Sequence, residues 1–260
     1  MKRLLSLIFV LLCCNFSQAQ SDTYLTFEFM GVDNSQEPFY METENFWEKI
    51  HEQRVASDDI IGWDLWRLLP GGEDQGYQYL TVTIFDSPLK MMRAGDGILE
   101  SAKMAYPDLS DEEIDNRINL AGSSRNLAVR LFIKVMDRTV GKFEMKPGMI
   151  LSMDLMKVKE GQQDSYEKAE MESTKSMYQK HVDSGAMGEW QLLKVLLPEG
   201  TDSYTSHISV NMFDNWEQHM KSMNFKPGLT AEQQKKMSSG ISNRELKWVY
   251  KAELVKMVRK

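Results

Sequence analysis

The chain has two cysteines in 260 residues, Cys13 and Cys14, both inside an apolar N-terminal run. Beyond them there is none, which excludes a disulfide framework, a thiolate metal site, a cysteine nucleophile and a thiol redox switch. Histidine is nearly as scarce. His51, His181, His207 and His219 fall at no spacing that puts two on one helical turn, so no metal site is expected. An excess of positive charge is also lacking: 31 basic against 38 acidic residues give a formal net charge of −7. Nucleic acid calls for a basic footprint and an anionic membrane surface for a basic face, so neither is an expected partner. No glycine-rich phosphate loop and no nucleophile elbow occurs. No stretch approaches the roughly 20 apolar residues that a bilayer-spanning helix needs.

What is present begins with Lys2 and Arg3, followed by an apolar run from Leu4 to Cys14 and a polar stretch ending Ser17-Gln18-Ala19. A basic start, a short apolar core and small residues before the cut read as a secretory signal peptide over residues 1–19. The expected location is therefore the periplasm or the extracellular space. Acylation at Cys13 or Cys14 would make a lipoprotein, but the small residue expected just before such a cysteine is missing. Loss of the leader takes the formal charge from −7 to −9.

The remainder is one pattern written twice. Thr26–Val32 matches Ser152–Val158, Gly62–Leu68 matches Glu189–Val195, and Val82–Asp86 matches Val210–Asp214. Pro107–Leu109 pairs with Pro227–Leu229, and Arg125–Leu127 with Arg244–Leu246. The offset drifts from 126 to 128 and then falls to 120 and 119, as small loop changes and one deletion would produce. Within each copy the hydrophobic period switches between 2 and 3.6 in the order β-α-β-β-α-β. The first copy predicts strands over 25–30, 62–69, 77–85 and 127–135 and a helix over 39–55; the last strand of the second spans 246–254. Ser87-Pro88, Ser110-x-x-Glu113, Asp214-x-x-Glu217 and Thr230-x-x-Gln233 are helix starts. The fold class is α+β, two fused ferredoxin-like repeats over 20–141 and 142–260.

This duplicated element order resembles the dimeric α/β-barrel superfamily, which includes antibiotic-biosynthesis-type monooxygenases and the haem-binding chlorite dismutases. The resemblance covers the chain after the leader. It implies two antiparallel sheets packed face to face as one barrel-like unit, and ligands held between helix and sheet. It carries no short catalytic motif, and one fold hosts many chemistries.

Two surfaces are candidate sites. Strand alternation gives each sheet a polar face, expected to point into the barrel. On it lie Glu28 with Thr26, Thr81 and Thr83 in the first copy, and Asp154, His207 and Asn211 in the second. Glu28 or Asp154 with His207 is a candidate acid–base pair. The second surface is the gap between helix and sheet. There the first helix ends in Trp47, His51 and Arg54, matched in the second copy by Thr174, Tyr178 and His181; Trp63 and Trp190 are candidate walls. The function expected from these residues is binding of a small molecule, with cofactor-free chemistry on an apolar or aromatic compound as its enzymatic form. No cofactor is required, although haem, which needs one axial histidine and no sequence spacing, stays open. A haem protein resembling the chlorite dismutases and a non-catalytic envelope protein, with a homo-oligomer among its expected forms, are the alternatives.

Overall fold

Each period-2 stretch of the first repeat becomes a strand: β1 (Tyr24–Gly31), β2 (Gly62–Leu69), β3 (Tyr79–Phe85) and β4 (Asn126–Arg138). Between them lie α1 (Glu37–Ala56), α2 (Pro88–Met92), α3 (Ile98–Ala105) and α4 (Asp111–Ser124). The second repeat follows with β5 (Ile150–Val158), α5 (Gln163–Ala169), a π-helical turn over Glu170–Thr174 and α6 (Lys175–Asp183). It closes with β6 (Glu189–Leu197), β7 (His207–Phe213), α7 (Trp216–Asn224), α8 (Ala231–Ser242) and β8 (Arg244–Arg259). The computed structural model describes residues 22–260; the expected leader lies outside them. Among the described residues no helix is long and apolar enough to cross a membrane.

The helix starts follow local chemistry. Ser110 and Thr230 each make a reciprocal capping box with Glu113 and Gln233, and Ser87 caps α2 with Pro88 at its first position. Asp214 does not cap α7. Asn215 takes that role, its Oδ1 accepting from Gln218 N at 2.9 Å, while Gln218 Oε1 accepts from Asp214 N.

The strand order is β1-β3-β2-β8-β5-β7-β6-β4, closed into a barrel. Each repeat contributes a four-stranded antiparallel piece in the ferredoxin-like order, β4-β1-β3-β2 and β8-β5-β7-β6. The pieces do not stack face to face as expected; they join edge to edge, β2 with β8 and β4 with β6. The cause is strand length. β4 pairs with β1 through residues 126–134 and with β6 through 132–138; β8 pairs with β5 through 244–253 and with β2 through 251–259. Both strands therefore outrun the stretches expected from alternation, and their extensions satisfy backbone groups that would otherwise be exposed at four sheet edges.

Closure also inverts the expected orientation of the sheet. The barrel interior is apolar, filled by Leu25, Phe27, Phe29, Leu80, Val82, Leu151, Met153, Leu155, Ile208 and Val210. The polar parity, with Glu28, Asp154, His207 and Asn211, faces outward under the helices. Charges inside an apolar barrel would lie against side chains that cannot pair with them, at a large desolvation cost. Under the helix layer the polar groups find partners in helix side chains.

Candidate functional site

Because the polar parity points outward, Glu28 lies on the same side of the sheet as the helix–sheet gap. In the first repeat the two expected sites are therefore one crevice. α1 supplies a stripe at Tyr40, Glu44, Trp47, His51 and Arg54, spaced so that all face the sheet. Thr26 and Glu28 from β1, Trp63 from β2, Thr81 and Thr83 from β3 and Arg130 and Phe132 from β4 form the floor. Arg125, just before β4, closes one side, and Met91, Met92 and Ile98 form the outer rim. The enclosed volume is about 370 Å³, within the range of small-molecule sites.

His51 is buried and stacks on Trp63, with ring centroids 4.9 Å apart, and more loosely on Trp47 at 5.8 Å. Its Nδ1 faces Arg54 Nη1 at 3.4 Å, and Arg54 Nη2 donates to Ala94 O at 2.7 Å. Burial, followed by the charges of Arg54 and Arg125, holds the imidazole well below its usual range, so it is neutral. A guanidinium can only donate, so Nδ1 must accept and the ring proton sits on Nε2. His51 is thus a neutral N–H donor. Glu28 is held by Arg130, with Oε1 2.6 Å from Nη2, and Oε2 accepts from Thr81 at 3.3 Å.

Glu44 was not among the residues singled out by the sequence. It is 1% exposed, and Oε1, 3.8 Å from Arg125 Nε, makes no hydrogen bond of normal geometry. Burial raises its carboxyl to about 7 against the lowering effect of Arg125. The signal that finds it is the helical stripe itself: Trp47, His51 and Arg54 continue backwards, at three- and four-residue steps, to Glu44 and Tyr40.

The second repeat places its expected residues differently. Tyr178 stacks on Trp190 at 5.6 Å, and Trp190 Nε1 donates to Ser209 Oγ at 2.8 Å. His181 pairs Nδ1 with Ser222 Oγ at 3.0 Å and packs against the edge of Phe225. His207 does not pair with Asp154 or Glu28. The β5–β7 register sets it opposite Met156, and its Nε2 lies 3.0 Å from Glu167, which Lys194 also holds at 2.7 Å. Burial raises the Asp154 carboxyl against Lys251 and Arg244, and Lys251 Nζ donates to the neighbouring Ser152 at 2.7 Å. Asn211 is buried on the same face, with Oδ1 unpartnered. Strict register pairs Glu44 with Met171, but the π-helical turn shifts it by one, and Glu170 is the counterpart. It is buried, its carboxyl is raised by burial, and it lies with Tyr166 and Arg244 as Glu44 does with Tyr40 and Arg125.

Among the described residues, no three His, Cys, Asp or Glu side chains gather as a metal-binding set. Haem can be tested against the histidines. His207 has both ring nitrogens engaged, Nδ1 with Ser206 and Nε2 with Glu167. His51 carries its proton on the nitrogen left for iron, and the group beside Nδ1 is a cation rather than the acceptor that usually supports a ligating imidazole. The first crevice does not fit haem.

No protein-family model and no curated protein sequence matches the chain. Solved structures do. A candidate monooxygenase from Fusobacterium nucleatum subsp. nucleatum aligns at a TM-score of 0.59 and 8% identity, over 92% of this chain and 95% of that one. An anthrone oxidase-like protein aligns at 0.53 and 12%, over 92% and 94%. A haem-binding protein from Thermus thermophilus aligns at 0.50 and 8%, over 90% and 91%. At such identities the likeness shows the fold: the chain shares that of dimeric α/β-barrel proteins, with both halves in one polypeptide.

Proposed function

We propose that the chain binds a small aromatic or otherwise apolar compound bearing an acidic O–H in the crevice under α1, and that Glu44 takes the proton. The observation that carries this reading is a buried carboxyl, raised to about 7, whose Oε1 makes no hydrogen bond and lies 3.8 Å from Arg125, in a crevice lined also by Arg54 and Arg130. A general base works best when it titrates near the working pH. Arg130 is committed to Glu28, and Arg54 to His51 and Ala94 O. Arg125 donates Nη1 to Ala121 O and Nε to Met30 Sδ, so its Nη2 and the Nε2 proton of His51 are the groups that would receive the developing oxyanion. Trp47, Trp63 and Phe132 supply the apolar walls. The monooxygenase and anthrone oxidase-like structures support an organic substrate of this kind in the same fold. Proton removal needs no more than these side chains, so the enzymatic form of the proposal is cofactor-free.

The test uses 4-nitrophenol, whose phenolate is distinguished from the phenol by its visible absorbance. The protein should bind it saturably and shift its absorbance toward the phenolate at a pH where free probe is mostly protonated. Arg125→Met should weaken binding by about tenfold, a loss of about 1.4 kcal/mol, with the fold retained by circular dichroism. No saturable binding, or an unchanged affinity in the variant, would refute the proposal.

Export is part of the same reading. It rests on residues 1–19, and N-terminal sequencing of protein from the periplasmic or culture fraction should begin at Gln20. Recovery of the intact N-terminus from the cytoplasm alone would remove it.

A further inference from the structure

A second cavity lies inside the barrel, on the opposite side of the sheet from the crevice. It opens at the end where β1, β2, β5 and β6 start and β3, β4, β7 and β8 finish, and has a volume of about 590 Å³. Its walls are apolar: Leu25, Phe27, Trp66, Leu151, Leu193 and Val210 are each at most 7% exposed. Natural cores close-pack and seldom keep voids much larger than a water molecule. An apolar cavity of this kind holds water poorly and takes apolar molecules readily.

The mouth is polar, and both of its arginines stand beside acidic groups. Arg259 holds Asp64 at 2.7 Å, Arg138 stands beside Glu189, and Gln191 Nε2 donates to Glu189 at 2.8 Å. Glu144 is the one charge at this rim without a partner among the described residues, so an anion meets no unopposed cation there. The segment joining the repeats runs across this mouth and sets Phe143 and Met145 against the core. Phe143 sits directly on Gly188, where an added Cβ would lie 2.1 Å from its ring. Glycine at 188 is therefore what lets the aromatic ring sit at the entrance.

We propose that the barrel lumen is a binding site for an uncharged apolar molecule, entered past Phe143. This site is separate from the crevice: its residues have the opposite strand parity, and its ligand needs no acidic group.

The probe is N-phenyl-1-naphthylamine, an uncharged aromatic whose emission rises in apolar surroundings. One saturable site is expected on the full protein, with saturating 4-nitrophenol leaving the probe in place. Leu193→Trp fills the lumen and should weaken probe binding at least tenfold. Phe143→Ala widens the entrance and should speed association at least fivefold while leaving the fold intact by circular dichroism. Absence of a saturable site, displacement by 4-nitrophenol, or unchanged affinity in folded Leu193→Trp would each overturn the proposal. Should Leu193→Trp fail to fold, Phe143→Ala decides, and an unchanged association rate overturns it.

Discussion

Replacing Glu44 with glutamine is expected to stabilise the protein by about 3 kcal/mol at pH 8 and by less than about 1 kcal/mol at pH 5. The sign follows from the raised carboxyl. Folded, Glu44 keeps its proton to about pH 7; unfolded, it releases it at the ordinary value of 4.5. Between these values the unfolded chain binds fewer protons, so the contribution of Glu44 to stability is fully present below pH 4.5. It is lost as the pH rises through 7. Glutamine mimics the protonated group at every pH and removes the loss. Urea titrations of both proteins across this range measure the difference directly. A difference independent of pH, or a variant less stable at pH 8, would show that Glu44 is not a strained buried acid. It could then hardly serve as the proton acceptor of the crevice.

The second large effect belongs to the closing seam. Arg259→Ala should destabilise the fold by about 3 kcal/mol, because it strands a buried carboxylate. Asp64 is 3% exposed, and Arg259 grips it through both terminal nitrogens at 2.7 and 2.8 Å. The same guanidinium donates to the carbonyl oxygens of Trp63 and Val258. Gly62 makes the approach feasible: a Cβ there would meet Arg259 Nη1 at 2.7 Å. Asp64→Asn in the Arg259→Ala background should restore much of the loss, and a double-mutant cycle separates the pair from its surroundings. A cost under about 1 kcal/mol for Arg259→Ala would mean that backbone pairing alone holds β2 to β8.

The elements were legible in the sequence because their signals are local. Alternation in 24–31 and 62–69, and the caps at Ser87, Ser110 and Thr230, depend on neighbours within a few residues. The orientation of the sheet was not legible. Alternation sorts Leu25 and Phe27 from Thr26 and Glu28 but says nothing of which side becomes the lumen; that depends on strands from the other repeat. The edge joins were hidden for the same reason, since the extra residues of β4 and β8 alternate like the rest and only their second partners reveal their use. His51, Arg54 and Trp63 were found as a group and do share one crevice. Glu44 was passed over because a glutamate on a helix usually faces solvent, and its burial comes from α4 and the start of β4, far along the chain. Tyr178, His181 and Trp190 carried the same signal. In the second repeat they stack on one another, and His181 also pairs with Ser222.

The seam between β2 and β8 also sets an order of events. Gly62 pairs with Arg259 and Leu69 with Lys251, so a strand made early waits for a segment near the end of the chain. Contacts this distant in sequence make folding slow, because the connecting loop must be ordered before any pairing rewards it. Throughout synthesis the first repeat therefore has an unsealed flank, and the lumen residues stay accessible to chaperones. The export proposed above would gain from that delay, because the last strand acts as a latch that shuts only when the whole chain is present.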